Sequence, residues 1–302
     1  MRVVDRTTIA AALTWSDAVT AARRAFLALG ADEVVQPAQF ELLPTSGGEV
    51  HIKGAYLSGS PVLTFKVATG GFPGAAANGC TIVLDAATGA PRWILADEGM
   101  LTDMRTAAAG ALATMSLARP DARRLLVLGT GGQAVAQIHA HRAALPNLAV
   151  RLWGRRADRA AAVAASVGAE AVTDLQAAVA DSDIIVTATS SRRALVEAAW
   201  VRPGTHLSAV GSDTPGKQEL AADLLSRAQP LVCDDLELAS RAGELQHADD
   251  DIRARAVTLS DVLAGRRPGR TSDAQISVAD LCGLGVQDAA IAELVIARLP
   301  AR

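Results

Sequence analysis

The run LLVLGTGGQAVAQ, from Leu125 to Gln137, sets a glycine-rich turn directly between an apolar strand and an alanine-rich helix. Gly129 permits the tight turn, and Gly131 lets a phosphate group approach backbone N–H groups at the helix N-terminus. Ala134 falls where a third small residue lets helix and strand pack closely. These features predict a dinucleotide-binding unit, with Gly129, Thr130, Gly131, Gly132, Gln133 and Ala134 around the pyrophosphate. A lone GxGxxA also occurs in αβ turns whose small residues serve packing only. The run RLWGRR, Arg151 to Arg156, strengthens the dinucleotide reading, because the end of the second strand is where such folds read the adenosine ribose.

A chain of 302 residues is long enough for a large core and roughly two domains. With 29 basic and 32 acidic residues, nothing points to nucleic acid or an anionic membrane surface, so small-molecule partners are expected. Charged residues or glycines interrupt each apolar stretch before spanning length, and no basic-then-apolar leader opens the sequence. The expectation is a cytoplasmic protein. Cys80, Cys233 and Cys282 lie far apart without zinc or disulfide spacing, so no metal site is expected and the thiols are read as reduced.

The first twenty-nine residues carry a helical pattern after Trp15, with Ser16 or Asp17 as the expected cap. From Val34 to Leu95 the pattern becomes β-like, with short runs at 39–43, 50–56, 62–68, 81–84 and 91–95 separated by Gly, Pro and Asn turns. An antiparallel sheet is predicted there. A helix follows from Thr102 to Ala118. Strands at 123–128, 149–153, 183–187, 206–210 and 230–233 then alternate with helices at 132–144, 157–167 and 174–180, which predicts a doubly wound, mostly parallel sheet. The tail, 287–299, reads as an amphipathic helix able to pack back on the N-terminal half.

No Ser/His/Asp or Cys/His arrangement is legible, so the reactive centre is expected to belong to a nicotinamide, with the protein supplying orientation, charge and protons. Three cations stand out in the first half. Lys53 and Lys66 each lie inside an apolar strand, where an unpaired ammonium is costly; each is either a snorkelling edge residue or a ligand group. Arg105 lies one turn into a helix that Thr102 can cap, placed for a carboxylate or for a salt bridge to Asp97, Glu98 or Asp103. Asp213, in VGSDTPGKQEL, follows a candidate parallel strand and is either a ligand-facing group or an ordinary turn former. The strand-end residues Thr187, Ala188, Thr189, Val210 and Gly211 are assigned to the cofactor on the same ground. The five histidines form no ligand set; His139 and His141, two apart on a helix, do not share a face.

Taken together, LTDMRTAAAGALATMSLARPDARRLLVLGTGGQA, AVGSDTPGKQEL and SVADLCGLGVQDAAIAEL resemble the ornithine cyclodeaminase/mu-crystallin family, in the expected order over nearly the whole chain. The resemblance implies an α/β fold in which a Rossmann-type parallel sheet, 114–283, is inserted into an α+β substrate and dimerisation domain, 1–113 plus 284–302. It also implies a homodimer. The family's strand lysine falls on Lys66, its carboxylate-binding arginine on Arg105 and its catalytic aspartate on Asp213, while Asn78, Gly79 and Thr81 fall in the segment lining the substrate pocket.

Where relatives carry a second carboxylate-binding arginine after a Pro-Pro pair, this chain has Pro37-Ala38-Gln39. Lys53, at a position that reads Met in many relatives, is expected to replace that charge. Ornithine-specific members resemble one another in an acidic residue near His51, whose absence here argues against ornithine itself. They also carry an aspartate at the end of the second strand. This chain reads Trp153-Gly154-Arg155-Arg156, an arginine pair suited to a 2′-phosphate, so NADP(H) is expected over NAD(H).

The resemblance implies reduction of an α-imino acid, either a cyclic ketimine carboxylate or an imine of a 2-oxo acid, with Arg105 and Lys53 on the carboxylate and Lys66 or Asp213 managing the proton. The alternatives are a cyclodeaminase with recycled NAD, which would convert ornithine or a related diamino acid, and a cofactor-bound binding protein with little turnover.

Overall fold

The structure, a computed structural model, describes residues 1–45 and 47–299. The chain divides into two compact units, Met1–Arg105 joined by the segment from Leu284, and Thr106–Gly283.

The first unit runs β1 (Arg2–Asp5), α1 (Arg6–Ala12), α2 (Trp15–Gly30), β2 (Val34–Val35), β3 (Phe40–Leu42), β4 (Glu49–Leu57), β5 (Val62–Gly70), β6 (Asn78–Asp85), β7 (Pro91–Ala96) and the start of α3 (Met100–Leu117). Its sheet has the order β1-β7-β6-β5-β4-β2, with β3 paired to β4. All pairings are antiparallel except that of β7 with β1, and β1 is absent from the strands that the sequence pattern predicts. The C-terminal helix, Gly285–Arg298, packs against α2, β4 and β5. Ala18, Ala21, Ala22, Ala25 and Phe26 of α2 are buried, as are Ala289, Ile291, Ala292 and Val295 of the C-terminal helix. Small residues permit this close packing. A Cβ on Gly285 would lie 2.5 Å from the Gly54 carbonyl oxygen, so the absence of that atom lets the helix begin directly on β4.

Two helix starts differ from expectation. α2 is capped by Thr14, whose hydroxyl accepts from the Asp17 N–H while Asp17 accepts from the Thr14 N–H. Asp17 is therefore the reciprocal partner rather than the cap, and Ser16 is already helical. α3 begins at Met100 because Asp97 accepts from the Leu101 N–H at 2.8 Å, after a turn with φ of 54° at Glu98 and 85° at Gly99. Thr102 is therefore inside the helix and does not cap it.

Opposite the helix-covered face, the sheet of the first unit presents Val3, Phe40 and Phe65, which are 62%, 55% and 40% exposed. Pairing of Phe65 with Ile82, Ile82 with Ile94 and Ile94 with Val3 carries this apolar surface across the sheet.

The second unit contains β8 (Arg124–Leu128), α4 (Gly132–Ala144), β9 (Ala149–Trp153), α5 (Ala157–Ser166), β10 (Glu170–Val172), α6 (Leu175–Ala180), β11 (Ile184–Thr187), β12 (Arg192–Val196), β13 (His206–Ala209), β14 (Gln218–Leu220), α7 (Ala222–Arg227), β15 (Ala228–Cys233), α8 (Leu236–Ala242), α9 (Asp250–Arg253), β16 (Val257–Thr258), α10 (Leu259–Leu263) and β17 (Ile276–Asp280). Eight parallel strands form one sheet in the order β10-β9-β8-β11-β13-β17-β15-β16, with β12 and β14 paired separately. Leu125–Leu128 are wholly buried, as expected of a strand covered on both faces. This is a Rossmann-type doubly wound sheet, and the side on which successive strands are added reverses between β8 and β11, which are themselves parallel.

His141 and His206 serve the core: His141 contacts Thr114 Oγ1 and the Gln137 carbonyl, and His206 contacts Ser277 and Ser208. Among the described residues no helix is long and apolar enough to cross a membrane.

Candidate active site

Strand pairing gathers the cations of the first unit. Lys53 on β4 is the cross-strand partner of Lys66 on β5, and Lys66 that of Thr81 on β6, so all three share one face. Asp288, in the first turn of the C-terminal helix, reaches the same place. Its Oδ1 lies 3.1 Å from Lys66 Nζ and 3.1 Å from Arg105 Nε. Lys66 and Asp288 are each only 3% exposed. Arg105 also donates to Gln287 Oε1 at 2.9 Å, and the same oxygen accepts the Leu284 N–H, tying the cation to the helix start.

The electrostatics follow from this burial. Desolvation lowers the Lys66 pKa to about 7, aided by the Arg105 charge and opposed by Asp288. The Asp288 carboxyl is also raised by burial, but Lys66, Arg105 and Lys53 outweigh that cost and hold it below its ordinary value. Burial pushes the nearby Asp97 carboxyl up. One ionised carboxylate is thus surrounded by Arg105, Lys66 and Lys53. Two of these cations, Arg105 and Lys66, are buried with it, and Lys66 stands near neutrality.

Asp288 was not singled out from sequence. The usable signal was a Gln-Asp pair inside the apolar run GLGVQDAAIAEL, where a buried carboxylate demands a cation. Arg105 pairs with this residue, whereas Glu98 pairs with Arg6 and Asp97 accepts the Leu101 N–H. Thr81 is buried within the lysine row, whereas strand alternation sets Asn78 on the opposite face, where its Oδ1 accepts the Gly79 N–H. Asn78 is therefore separated from the cation cluster.

Gln39 contacts His51 Nδ1 at 2.8 Å. His51 Nε2 lies 3.7 Å from Glu41 and 3.6 Å from Glu49, on the same face as Lys53. Two carboxylates thus supply acidity at a position where the local sequence reads histidine. Among the described residues this trio is the one His/Cys/Asp/Glu group close enough to share an ion.

In the second unit, a cavity of about 470 Å3 is lined by Gly129, Thr130, Gly131, Gly154, Arg155, Arg159, Ala188 and Thr189, among others. Gly129 has φ of 133°, and a Cβ there would lie 2.4 Å from the Ala188 carbonyl oxygen. At Gly131, the N-cap of α4, no side chain caps the helix and the space beside the backbone is open. Such an uncapped N-terminus fits a pyrophosphate. Gly132 opens α4, Ala134 is buried against the strand, and Gln133 accepts from Gln137.

Of the arginine pair, Arg155 lines the cavity. Arg156 instead pairs with Asp158 at 2.7 Å in solvent, because it is the residue from which α5 starts. Arg159, one turn further on, supplies the second cavity cation. Thr187 and Gly211 are turned toward the buried Glu219, as is the Thr189 N–H, and Val210 is buried beside them. Asp213 is half exposed and pairs with Lys217 Nζ at 2.6 Å.

A Rossmann-type unit inserted into an α+β unit that carries a buried, cation-rich cluster defines the class. Within it, the chain belongs to the ornithine cyclodeaminase/mu-crystallin family, whose profile matches residues 2–301. A putative dehydrogenase of Rhizobium meliloti (strain 1021) is 39% identical over 298 residues, covering 93% of this chain and 90% of the relative. Delta(1)-pyrroline-2-carboxylate reductase of Paracoccus denitrificans is 33% identical, covering 88% and 87%. An ornithine cyclodeaminase of Agrobacterium fabrum is 32% identical, covering 82% and 69%. Among solved structures, an archaeal alanine dehydrogenase dimer with bound NAD superposes with a TM-score of 0.88 at 28% identity, covering 98% of this chain and 95% of that one. The family thus includes imine reductases and amino-acid dehydrogenases as well as cyclodeaminases.

Proposed function

We propose that this protein is an NADP(H)-preferring reductase of an α-imino acid. The observation that carries the reading is that two buried cations, Arg105 and Lys66, share the single carboxylate of Asp288, an arrangement suited to an anion of carboxylate size. Arg105 and Lys53 hold that carboxylate through charge-assisted bonds, and Asp288 fixes the Arg105 side chain for it. Lys66, with a pKa of about 7, exchanges a proton with the substrate nitrogen. Asp213 remains the alternative proton carrier; comparison of Lys66→Met with Asp213→Asn separates the two.

The cavity of the second unit suits a nicotinamide dinucleotide, with Gly129 to Ala134 at the pyrophosphate and Arg155 and Arg159 at a 2′-phosphate. When bound, that group supplies the reducing equivalent. The exposed apolar sheet face of the first unit suits a second copy of the chain, and the archaeal relative is a dimer.

The test is loss of nicotinamide absorbance when NADPH, or separately NADH, is mixed with protein and five- or six-membered cyclic imine carboxylates, or with 2-oxo acids plus an amine. Rapid consumption, faster with NADPH, is expected. No consumption of either cofactor across the panel would overturn the reading.

The acidic trio Glu41, Glu49 and His51, on the face that carries Lys53, favours a second reading. It offers negative charge to a distal amine, as a cyclodeaminase acting on a diamino acid requires. Ammonia release from ornithine or lysine, with cofactor retained and not consumed, would support it.

A further inference from the structure

Glu219, on β14, is fully buried in the second unit, yet its carboxylate is saturated with donors from two other strand ends. Oε2 accepts the Thr187 hydroxyl at 2.7 Å and the Gly211 N–H at 2.9 Å, and Oε1 accepts the Thr189 N–H at 2.6 Å. Thr187 closes β11, and Gly211 follows β13 by two residues. The approach is so close that a Cβ on Gly211 would lie 2.6 Å from both carboxylate oxygens and 2.3 Å from the Thr189 carbonyl oxygen. A second contact links the same loop to the glycine-rich turn, where Gly129 abuts Ala188. Glu219 is itself held from behind, since Glu244 accepts the N–H groups of Glu219 and Leu220.

In a sheet of this order, the turn after β8 takes the pyrophosphate and the end of β9 the adenosine ribose. The ends of β11 and β13, across the reversal point, are left for the other half of the dinucleotide. We propose that Glu219 is a positioning residue that ties the ends of β11 and β13 together and thereby sets the shelf for the nicotinamide-ribose half of the cofactor. This rests on the nicotinamide reading above.

Burial raises the Glu219 pKa, and the three donors, two of them backbone N–H groups, oppose that shift by favouring the carboxylate. In Glu219→Gln an amide NH2 faces one of those backbone N–H groups, whichever way the amide turns.

The experiment measures equilibrium binding of NADPH and NADH and, separately, of ADP-ribose and its 2′-phosphate, which lack nicotinamide. Wild type is compared with Glu219→Gln, Thr187→Val and Thr187→Ser. Glu219→Gln is expected to weaken the whole dinucleotide about 10-fold while the fragments stay within about 2-fold. Thr187→Val should shift in the same direction by less, and Thr187→Ser, which keeps the hydroxyl, should bind as wild type. Equal losses for dinucleotide and fragment would overturn the proposal, because they indicate general damage to the unit. Unchanged dinucleotide binding in both Glu219→Gln and Thr187→Val would also overturn it. If Glu219→Gln does not fold, the Thr187 pair decides. Wild-type protein that binds no dinucleotide would instead remove the nicotinamide reading, and this inference with it.

Discussion

Asp288→Asn removes one negative charge and leaves the volume almost unchanged, so its effects report on electrostatics. Breaking a buried ion pair by removing one partner costs about 3–5 kcal/mol, because the remaining charge stays desolvated. Here two cations lose their partner, each at 3.1 Å, but they respond differently. Lys66, with a pKa of about 7, can shed its proton at neutral pH for well under about 1 kcal/mol. Arg105 cannot, and keeps only Gln287 as its neutral acceptor. The expected loss at pH 7 is therefore about 3 kcal/mol, the lower end of that range.

The pH dependence has a definite sign. The folded pKa of Lys66 lies below its unfolded value of 10.5, so the unfolded chain binds more protons between about 7 and 10.5, and this contribution to stability grows as pH rises through that window. Below it, Lys66 is charged in both states and the Asp288 carboxylate compensates the buried ammonium. Loss of Asp288 should therefore cost more at pH 6 than at pH 8. Urea unfolding of wild type and Asp288→Asn at both values, followed by two probes to check cooperativity, measures this. A loss below about 1 kcal/mol, or one equal at the two pH values, would refute the ion-pair reasoning.

Three further outcomes are expected. In imine reduction kcat/KM should fall as pH rises through about 7, as Lys66 loses the proton it must donate, and should show the opposite slope for amino-acid oxidation; a pH profile of Lys66→Met that keeps the same limb would exclude Lys66 as its source. Arg155→Ser should raise KM for NADPH about 10-fold or more and leave NADH nearly unchanged, and steady-state kinetics with both cofactors would show equal effects if Arg155 does not meet a 2′-phosphate. Lys53→Met should raise the apparent KM for a carboxylate substrate by about 10-fold or more, and an unchanged KM would remove Lys53 from carboxylate binding.

What the sequence made legible was local. α4 and β9 occupy the predicted spans 132–144 and 149–153, because a strand, a glycine turn and a helix are specified by residues adjacent in the chain. The lysine row was half legible: each lysine stood out as a charge inside an apolar strand, but their pairing is a matter of register, which the sequence does not print. Asp288 and Glu219 were missed for a common reason. Each is a carboxylate whose partners come from elements remote in sequence, so its role exists only after the chain has closed. Arg156 was misplaced by helical geometry. Starting α5 at Ala157 leaves Arg156 in solvent with Asp158 and brings Arg159 to the cavity one turn later.

If Arg105, Lys53 and Lys66 act as proposed, the charge balance of the first unit lets reductive and deaminating chemistry use one set of residues. Arg105 and Asp288 nearly cancel, so the charge that can vary is the proton of Lys66, which is held only weakly at neutral pH. On that reading, a substrate carboxylate held by Arg105 and Lys53 adds negative charge beside Lys66, which raises the Lys66 pKa and loads its proton. A substrate nitrogen on the adjacent carbon then finds an acid that was not fully formed in the empty site. Once that proton has passed to the nitrogen and the amino acid has left, neutral Lys66 takes up a proton from solvent as the next carboxylate arrives. Direction would then be set by the substrate and the oxidation state of the cofactor, while the same residues hold the carboxylate and exchange the proton. Recognition of the rest of the substrate, including the neighbourhood of Glu41, Glu49 and His51, decides which nitrogen that proton serves.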